Sequence, residues 1–405
     1  MSSVDESSRE VNTAFSSAPR GGSSVKSNDR EIDIYAVKEE DPILLLNGFG
    51  VGSFHQHRLI PHLLCNQNVG SRGNSIKRSI YCMDYLGQGK SWPSDCDDGF
   101  GQTEQGLRYC IYTWSDQIIQ FIQDVILPNH PKAQKVHLCG NSVGGHLSVV
   151  VAFQRPDLIS TITLLNATPV WGLNLPFWSG HLPPPGVPRW IGRKLFDWIR
   201  DENTISKYLE VAYSRREAFD ENLVKEIRQC TELSKGGHAA FSSILWSPPA
   251  KFPDLGATDF GAMLESLECD VLILFGRDDP WCTPAFGRRM ARKLASRLSA
   301  PQASSQEAEC NQDKKFVHRY VELDNVGHCP NHEAPQAVAK VLGRWVAASS
   351  DSQNSRSKAY LKLVHDEEDA VTIEPWGEVI IHEIEEAEVL AEQSFIDKML
   401  TRMVG

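Results

Sequence analysis

Apolar positions in this 405-residue chain alternate between short unbroken runs and longer stretches of helical spacing. Ile43-Leu44-Leu45-Leu46, residues 79–84, Val136-His137-Leu138, residues 159–165, Val271-Leu272-Ile273-Leu274-Phe275 and residues 317–323 read as strands apolar enough to be covered on both faces. Between them, helical spacing recurs in residues 54–64, in Ile118, Ile119, Phe121, Ile122, Val125 and Ile126, and in residues 147–153 and 285–298. A last helical face carries Val338, Val341, Leu342, Trp345 and Val346. Strands alternating with helices predict a mostly parallel sheet with helices on both faces.

The texture changes from residue 170 to about 263. Trp171, Phe177, Trp178, Trp190, Phe196, Trp198 and Trp246 are interleaved with prolines, and helical patterning returns in residues 191–199 and 223–233. Placed after the sixth core strand, this stretch is expected to form a helical cap over a roomy apolar pocket. The predicted division is therefore a leader at 1–40, a core at 41–169 and 264–347, a cap at 170–263, and a Ser-rich linker with an acidic extension at 348–405. The loops at 66–78, 94–113 and 300–315 are polar. The extension holds two strand-like pieces, 360–364 and 378–384, and an amphipathic helix with Val389, Ile396, Met399, Leu400 and Met403, expected to pack on its own chain.

Composition narrows the class. At 41% hydrophobic and 23% charged, the chain has an ordinary globular make-up, and a net charge of −11 argues against nucleic acid as a partner. None of the ten cysteines forms a C-x-x-C pair, so a reducing compartment, no structural metal and no cofactor are expected. No apolar run reaches the length of a membrane span. Residues 1–30 are Ser-rich with some Arg, as in a transit peptide, but Asp5, Glu6 and Glu10 oppose that reading, and a solvated leader is preferred.

Candidate chemistry centres on Cys139-Gly140-Asn141-Ser142-Val143-Gly144-Gly145, a Gly-x-Ser-x-Gly between a strand and a helix. In that context Ser142 sits at a sharp, strained turn that lifts its hydroxyl above the strand ends, and small Gly140 and Gly144 let strand and helix approach. Asn47-Gly48-Phe49-Gly50 follows a strand some way upstream, where the backbone N–H groups of Phe49 and Val143 would form an oxyanion hole. Asp84-Tyr85-Leu86-Gly87-Gln88-Gly89 is given a structural role. Gly276-Arg277-Asp278-Asp279-Pro280 and Gly327-His328 follow the last two core strands, which completes the chain order Ser, Asp, His. Ser142 is then the nucleophile, His328 the general base and Asp279 the carboxylate that holds the imidazole. Asp278 is the rival acid, expected to be solvated. His55, His57, His62, His137, His318 and His332 are read as core or surface residues. Such a set suits acyl transfer from an ester, thioester or amide to water. A slow-turnover receptor on the same fold and a C–C hydrolase remain alternatives.

Further runs carry a resemblance: Asn47 to His55, Asp84 to Gly89, Gly140 to Gly145, Leu164-Leu165-Asn166-Ala167-Thr168-Pro169-Val170-Trp171-Gly172, Gly276 to Trp281 and Gly327-His328-Cys329-Pro330. Over about residues 40–347 the chain resembles the pheophytinase-like α/β-hydrolases, serine hydrolases of chlorophyll breakdown. The resemblance implies an α/β-hydrolase fold and the same Ser142, Asp279 and His328. It also implies a hydrophobic ester substrate such as the phytyl ester of pheophytin, a chloroplast location and transient contact with membrane surfaces. Asn47 departs from the family's common Pro or His at that position.

Overall fold

The computed structural model describes residues 38–39, 41–66, 76–92, 109–169, 186–233, 237, 241, 244–299, 316–349 and 362–391. All lie within one compact unit, Ala36–Gly405. The leader apart from residues 38–39, most of the three polar loops, Trp171, Phe177, Trp178, the Ser-rich linker past residue 349, Tyr360, Ile396, Met399, Leu400 and Met403 fall outside the described residues.

Among the described residues, ten strands follow in chain order: β1 Lys38–Glu39, β2 Ile43–Leu46, β3 Ile76–Lys77, β4 Ile80–Cys82, β5 Val136–Asn141, β6 Ile159–Leu165, β7 Asp270–Gly276, β8 His318–Leu323, β9 Val371–Glu374 and β10 Gly377–Ile384. Strands β1 and β3 form a small parallel pair, and the rest make one sheet in the order β4-β2-β5-β6-β7-β8-β10-β9. From β4 to β8 every pairing is parallel.

Strand side chains alternate between the two faces, and the core divides accordingly. Leu44, Leu138, Ile162 and Ile273 join one cluster with the helices Ile111–Phe121, Val143–Gln154 and Pro284–Ser299. Ile43, Leu45, Leu272 and Leu274 join the other with Leu59–Asn66 and Pro335–Ser349. This is why the strand runs are apolar without alternation. The stretch expected to be irregular up to residue 113 gives way to helix at Ile111, which passes through a π-turn at Ile122–Ile126.

The insertion after β6 supplies the helices Gly186–Ile199, Glu202–Ala212 and Glu221–Cys230. Asp201 and Asp220 cap the last two through backbone N–H groups of their first turns. Ile205, Leu209, Phe219, Leu223 and Ile227 form a separate small core. Ala250, Ala257, Phe260 and Met263, placed in the cap by their sequence position, pack instead in the main core.

The C-terminal extension is part of the sheet. Strand β10 pairs antiparallel with β8 through Ile381 opposite Leu323 and Ile384 opposite Tyr320, and β9 folds back on β10. Leu363, Val379 and Ile381 are buried in the main core. Of the two strand-like pieces, 378–384 is a strand, whereas the described residues of 360–364 are not.

Candidate active site

Strand β5 ends at Asn141 and the helix Val143–Gln154 begins one residue after Ser142, so Ser142 turns the chain alone. Its φ is 55° and its ψ −116°, a conformation that costs a residue with a Cβ on the order of 1–3 kcal/mol. The surroundings impose it. Ser142 N–H donates to Leu165 O at 2.9 Å, and Ser142 O accepts from Gly145, His146 and Thr168 N–H at 3.0–3.2 Å. A Cβ on Gly140 would lie 2.2 Å from the Gly144 carbonyl, so the elbow closes only with glycine there.

The turn after β2 lies beside this elbow. Buried Asn47 ties it from inside, its Nδ2 donating to Gly48 O at 3.1 Å and Val51 O at 3.0 Å. The Asp84–Lys90 loop braces it from outside. Gly50 N–H donates to Gln88 Oε1 at 2.8 Å, and Asp84 accepts from Ser53 N–H at 2.5 Å and Lys90 N–H at 2.9 Å. Phe49 thus faces the same cavity as Ser142. Val143 is fully buried as the first residue of its helix, where a backbone N–H has no acceptor one turn back.

Asp279 and His328 come from the loops after β7 and β8. His328 Nδ1 lies 2.7 Å from Asp279 Oδ2. A carboxylate only accepts, so Nδ1 carries the proton and Nε2 of the neutral ring is left as an acceptor. Asp279 Oδ2 also accepts from Asn166 Nδ2 at 2.8 Å, and Oδ1 accepts from Trp281 and Cys282 N–H at 2.8 and 3.0 Å. Burial pushes this carboxyl up, but the hydrogen bond and charge of His328 and the two N–H donors outweigh it and hold it below its ordinary value. Asp278 is instead solvent-facing, accepting from Ser214 Oγ at 2.6 Å.

Several participants carry no chemical pattern in the sequence. Asn166, at φ 42°, donates to Asp279 while its Oδ1 accepts from Gly276 N–H, which locks the acid loop to the end of β6. Trp281 meets the His328 ring edge-on, centroids 5.0 Å apart. His328 N–H donates to Ala212 O of the cap at 2.7 Å, and His328 O accepts from Asn141 Nδ2 at 2.9 Å. Glu333 accepts from Gly327 N–H and from Arg215 N–H, joining the His328 loop to the cap, and burial raises it to about 7. The signal for Asn166 was its place at the end of an apolar run, beside the Thr-Pro turn.

His55 and His332 are buried on either side of the Tyr213 hydroxyl, at 2.8 and 2.9 Å. Burial lowers His55 to about 3, and His332 also falls well below its ordinary value, so both stay neutral. His332 is a core histidine, whereas His55, though buried, also borders the cavity that holds Ser142. The metal-ligating types that come together among the described residues are Asp279, Cys282 and His328, whose donor atoms lie within 4.8 Å. Burial pushes the Cys282 thiol up to about 12, so it is protonated there, and Asp279 already has its four hydrogen bonds.

Ser142 and His328 open into a cavity of about 550 Å³, in the range of small-molecule sites. Its walls are Phe49, Trp92, Phe196, Tyr208, Phe241 and Trp281, with Leu209 and Ile227 from the cap. Of the cap aromatics that together suggest a pocket, Phe196 lines it, whereas Trp190 and Trp198 are 63% and 55% exposed.

A model of the alpha/beta hydrolase family matches residues 43–341, well over half of the sequence. The chain belongs to the alpha/beta hydrolase family. It is 26% identical over 339 residues to the chloroplastic pheophytinase of Arabidopsis thaliana, covering 75% of this chain and 60% of that protein. It thus spans less than two thirds of that relative's length. It is 24% identical over 264 residues to a 2-hydroxy-6-oxo-2,4-heptadienoate hydrolase of Pseudomonas putida, covering 62% of this chain and 76% of that one. A solved chain from Acinetobacter baumannii, provisionally assigned as a lipase, superposes with a TM-score of 0.51 at 14% identity, over 78% of this chain and 86% of that one. That likeness is one of fold.

Proposed function

We propose that the protein is a serine hydrolase of large lipophilic carboxylic esters, with the phytyl ester of pheophytin or a related chlorophyll pigment as its substrate. The observation that carries this reading is the Asp279–His328 pair and the strained Ser142 opening together into an apolar, aromatic-walled cavity. Ser142 Oγ attacks the ester carbonyl while His328 Nε2 takes its proton. Asp279 keeps the ring in the Nδ1–H tautomer and stabilises the imidazolium. The N–H groups of Phe49 and Val143 receive the developing oxyanion. His328 returns the proton to the departing alcohol, and water releases the acyl group by the same steps in reverse.

The pigment assignment rests on the likeness to a pheophytinase and on the lining. A long branched alkyl chain gains roughly 25 cal/mol per Å² of surface buried, and this cavity offers little else. A plastid is the compartment where such an ester would be met. The dienoate named for the bacterial relative carries a carboxylate, and Arg200 is the lone Lys or Arg on the cavity wall among the described residues. It already pairs with Asp197 at 3.2 Å, which disfavours an acid substrate.

Incubation of the purified chain with pheophytin a, chlorophyll a and a short acyl ester tests the reading. Release of phytol from pheophytin is expected. Turnover of the short ester alone would overturn the pigment assignment and leave the ester hydrolase standing.

A further inference from the structure

The helix Gly186–Ile199 is apolar on both faces. Gly192, Leu195, Phe196 and Ile199 share the inner side, and Phe196 and Ile199 reach the cavity wall. At 100° per residue, Val187, Trp190, Ile191, Lys194 and Trp198 fall within one narrow arc on the opposite side. All five are exposed, Val187 to 70% and Trp190 to 63%. The stripe runs for roughly 16 Å along the helix. It does not stop there. Trp198 meets Tyr208 with centroids 6.3 Å apart, and Tyr208 meets Trp281 at the same separation. Tyr208 and Trp281 line the cavity, and Trp281 touches the His328 ring. An unbroken aromatic track therefore leads from the outer surface of the cap to the reacting groups.

Charge on this helix opposes that of the chain. The helix holds three basic side chains and a single acid, whereas the whole chain carries −11. Arg193 and Lys194 are exposed beside the two indoles. Tryptophans and short aliphatic residues flanked by Lys and Arg are the composition that seats a helix in the headgroup region of an anionic bilayer.

We propose that the outer face of Gly186–Ile199 docks on an anionic lipid surface, with Trp190 and Trp198 in the headgroup boundary and the cavity mouth turned toward the lipid. This deepens the reading of a lipophilic ester as substrate and rests on it for the purpose of docking, though not for the docking itself. An ester dissolved in a bilayer would then enter along Trp198, Tyr208 and Trp281 without crossing water.

The test uses the full chain with phosphatidylcholine vesicles, with and without phosphatidylglycerol. Flotation with the anionic vesicles is expected, together with quenching of tryptophan fluorescence by lipids brominated on the acyl chain. The double substitution Trp190→Ala and Trp198→Ala should weaken vesicle binding by roughly a hundredfold, the effect of losing two buried indoles. Trp190→Ala alone should weaken binding by about tenfold and leave hydrolysis of a water-soluble short ester unchanged, since Trp190 lies off both the cavity wall and the aromatic track. Arg193→Glu with Lys194→Glu should abolish the preference for phosphatidylglycerol. Absence of flotation overturns the proposal, as does unaltered binding by the double tryptophan variant. Sedimentation showing a dimer that this variant dissociates would also overturn it, assigning the stripe to a second copy of the chain. Failure of even the short ester to turn over would strike the hydrolase reading and leave the vesicle result to stand separately.

Discussion

At the floor of the cavity the Asp279 carboxylate accepts four hydrogen bonds, His328 is held through its ring, its N–H and its carbonyl, and Ser142 is pinned in a left-handed turn. At the roof, the helix Gly186–Ile199 lays Phe196 against Phe241, centroids 5.5 Å apart, and presents a second apolar face to the outside. The floor is fixed by directional bonds that tolerate little change of residue. The roof is held by aromatic packing, which fixes size and polarity but not one shape. Under the proposed mechanism the first carries the chemistry and the second the choice of substrate.

Asp279→Asn strikes the floor hardest. An amide that presents its NH2 to His328 Nδ1 favours the wrong tautomer, so kcat for any ester should fall by about 10⁴-fold with the fold intact. Steady-state kinetics and circular dichroism on the same preparation check this; a loss of less than tenfold would mean that Asp279 does not hold the base. Phe196→Ala strikes the roof. It removes one cavity wall, and kcat/KM for a long-chain ester should drop by roughly tenfold to a hundredfold, with a smaller loss on a short acyl ester. Equal losses on both would place Phe196 with the floor and erase the distinction.

The smallest effect concerns a brace outside both regions. Glu374 of β9 is buried and accepts from Gln336 and Ala337 N–H through Oε1, at 2.9 and 3.0 Å, at the start of the helix that follows the His328 loop. Burial raises its carboxyl from 4.5 to about 7. Between those values the unfolded chain has released a proton that the folded chain keeps, so rising pH favours unfolding. The stability Glu374 contributes is complete below about 4.5 and lost by the time pH passes about 7. Glu374→Gln retains the Oε1 acceptor and cannot titrate. Its melting temperature should fall less steeply from pH 4.5 to 7 than that of the parent; parallel curves would remove Glu374 from the pH response.

The floor was largely legible in the sequence. Runs such as Ile43-Leu44-Leu45-Leu46 and Val271 to Phe275 are covered on both faces of a parallel sheet, so they lack alternation and stand out, and Ser142, Asp279 and His328 lie in the loops just past strand ends. The role of Asn166 was not legible, although its place at the end of an apolar run was, because that role depends on a φ of 42° and on a contact 113 residues away. The pairing of β10 with β8 was hidden for a related reason. Its alternating pattern, with Val379 and Ile381 buried, marks a strand but names no partner. The orientation of the roof helix was not legible: Trp190 and Trp198 are neither core nor pocket residues but exposed. A helix apolar on both sides gives the same spacing whichever side turns inward, so periodicity could not tell the cavity wall from the outer stripe.

The central claim is that Ser142 is the nucleophile. A fluorophosphonate probe followed by peptide mass spectrometry tests it most directly. Rapid labelling of Ser142 is expected, slowed by several orders of magnitude in Asp279→Asn and absent in Ser142→Ala, which should also lose ester hydrolysis. Labelling of another residue, or a Ser142→Ala variant that hydrolyses esters at the parent rate, would contradict it.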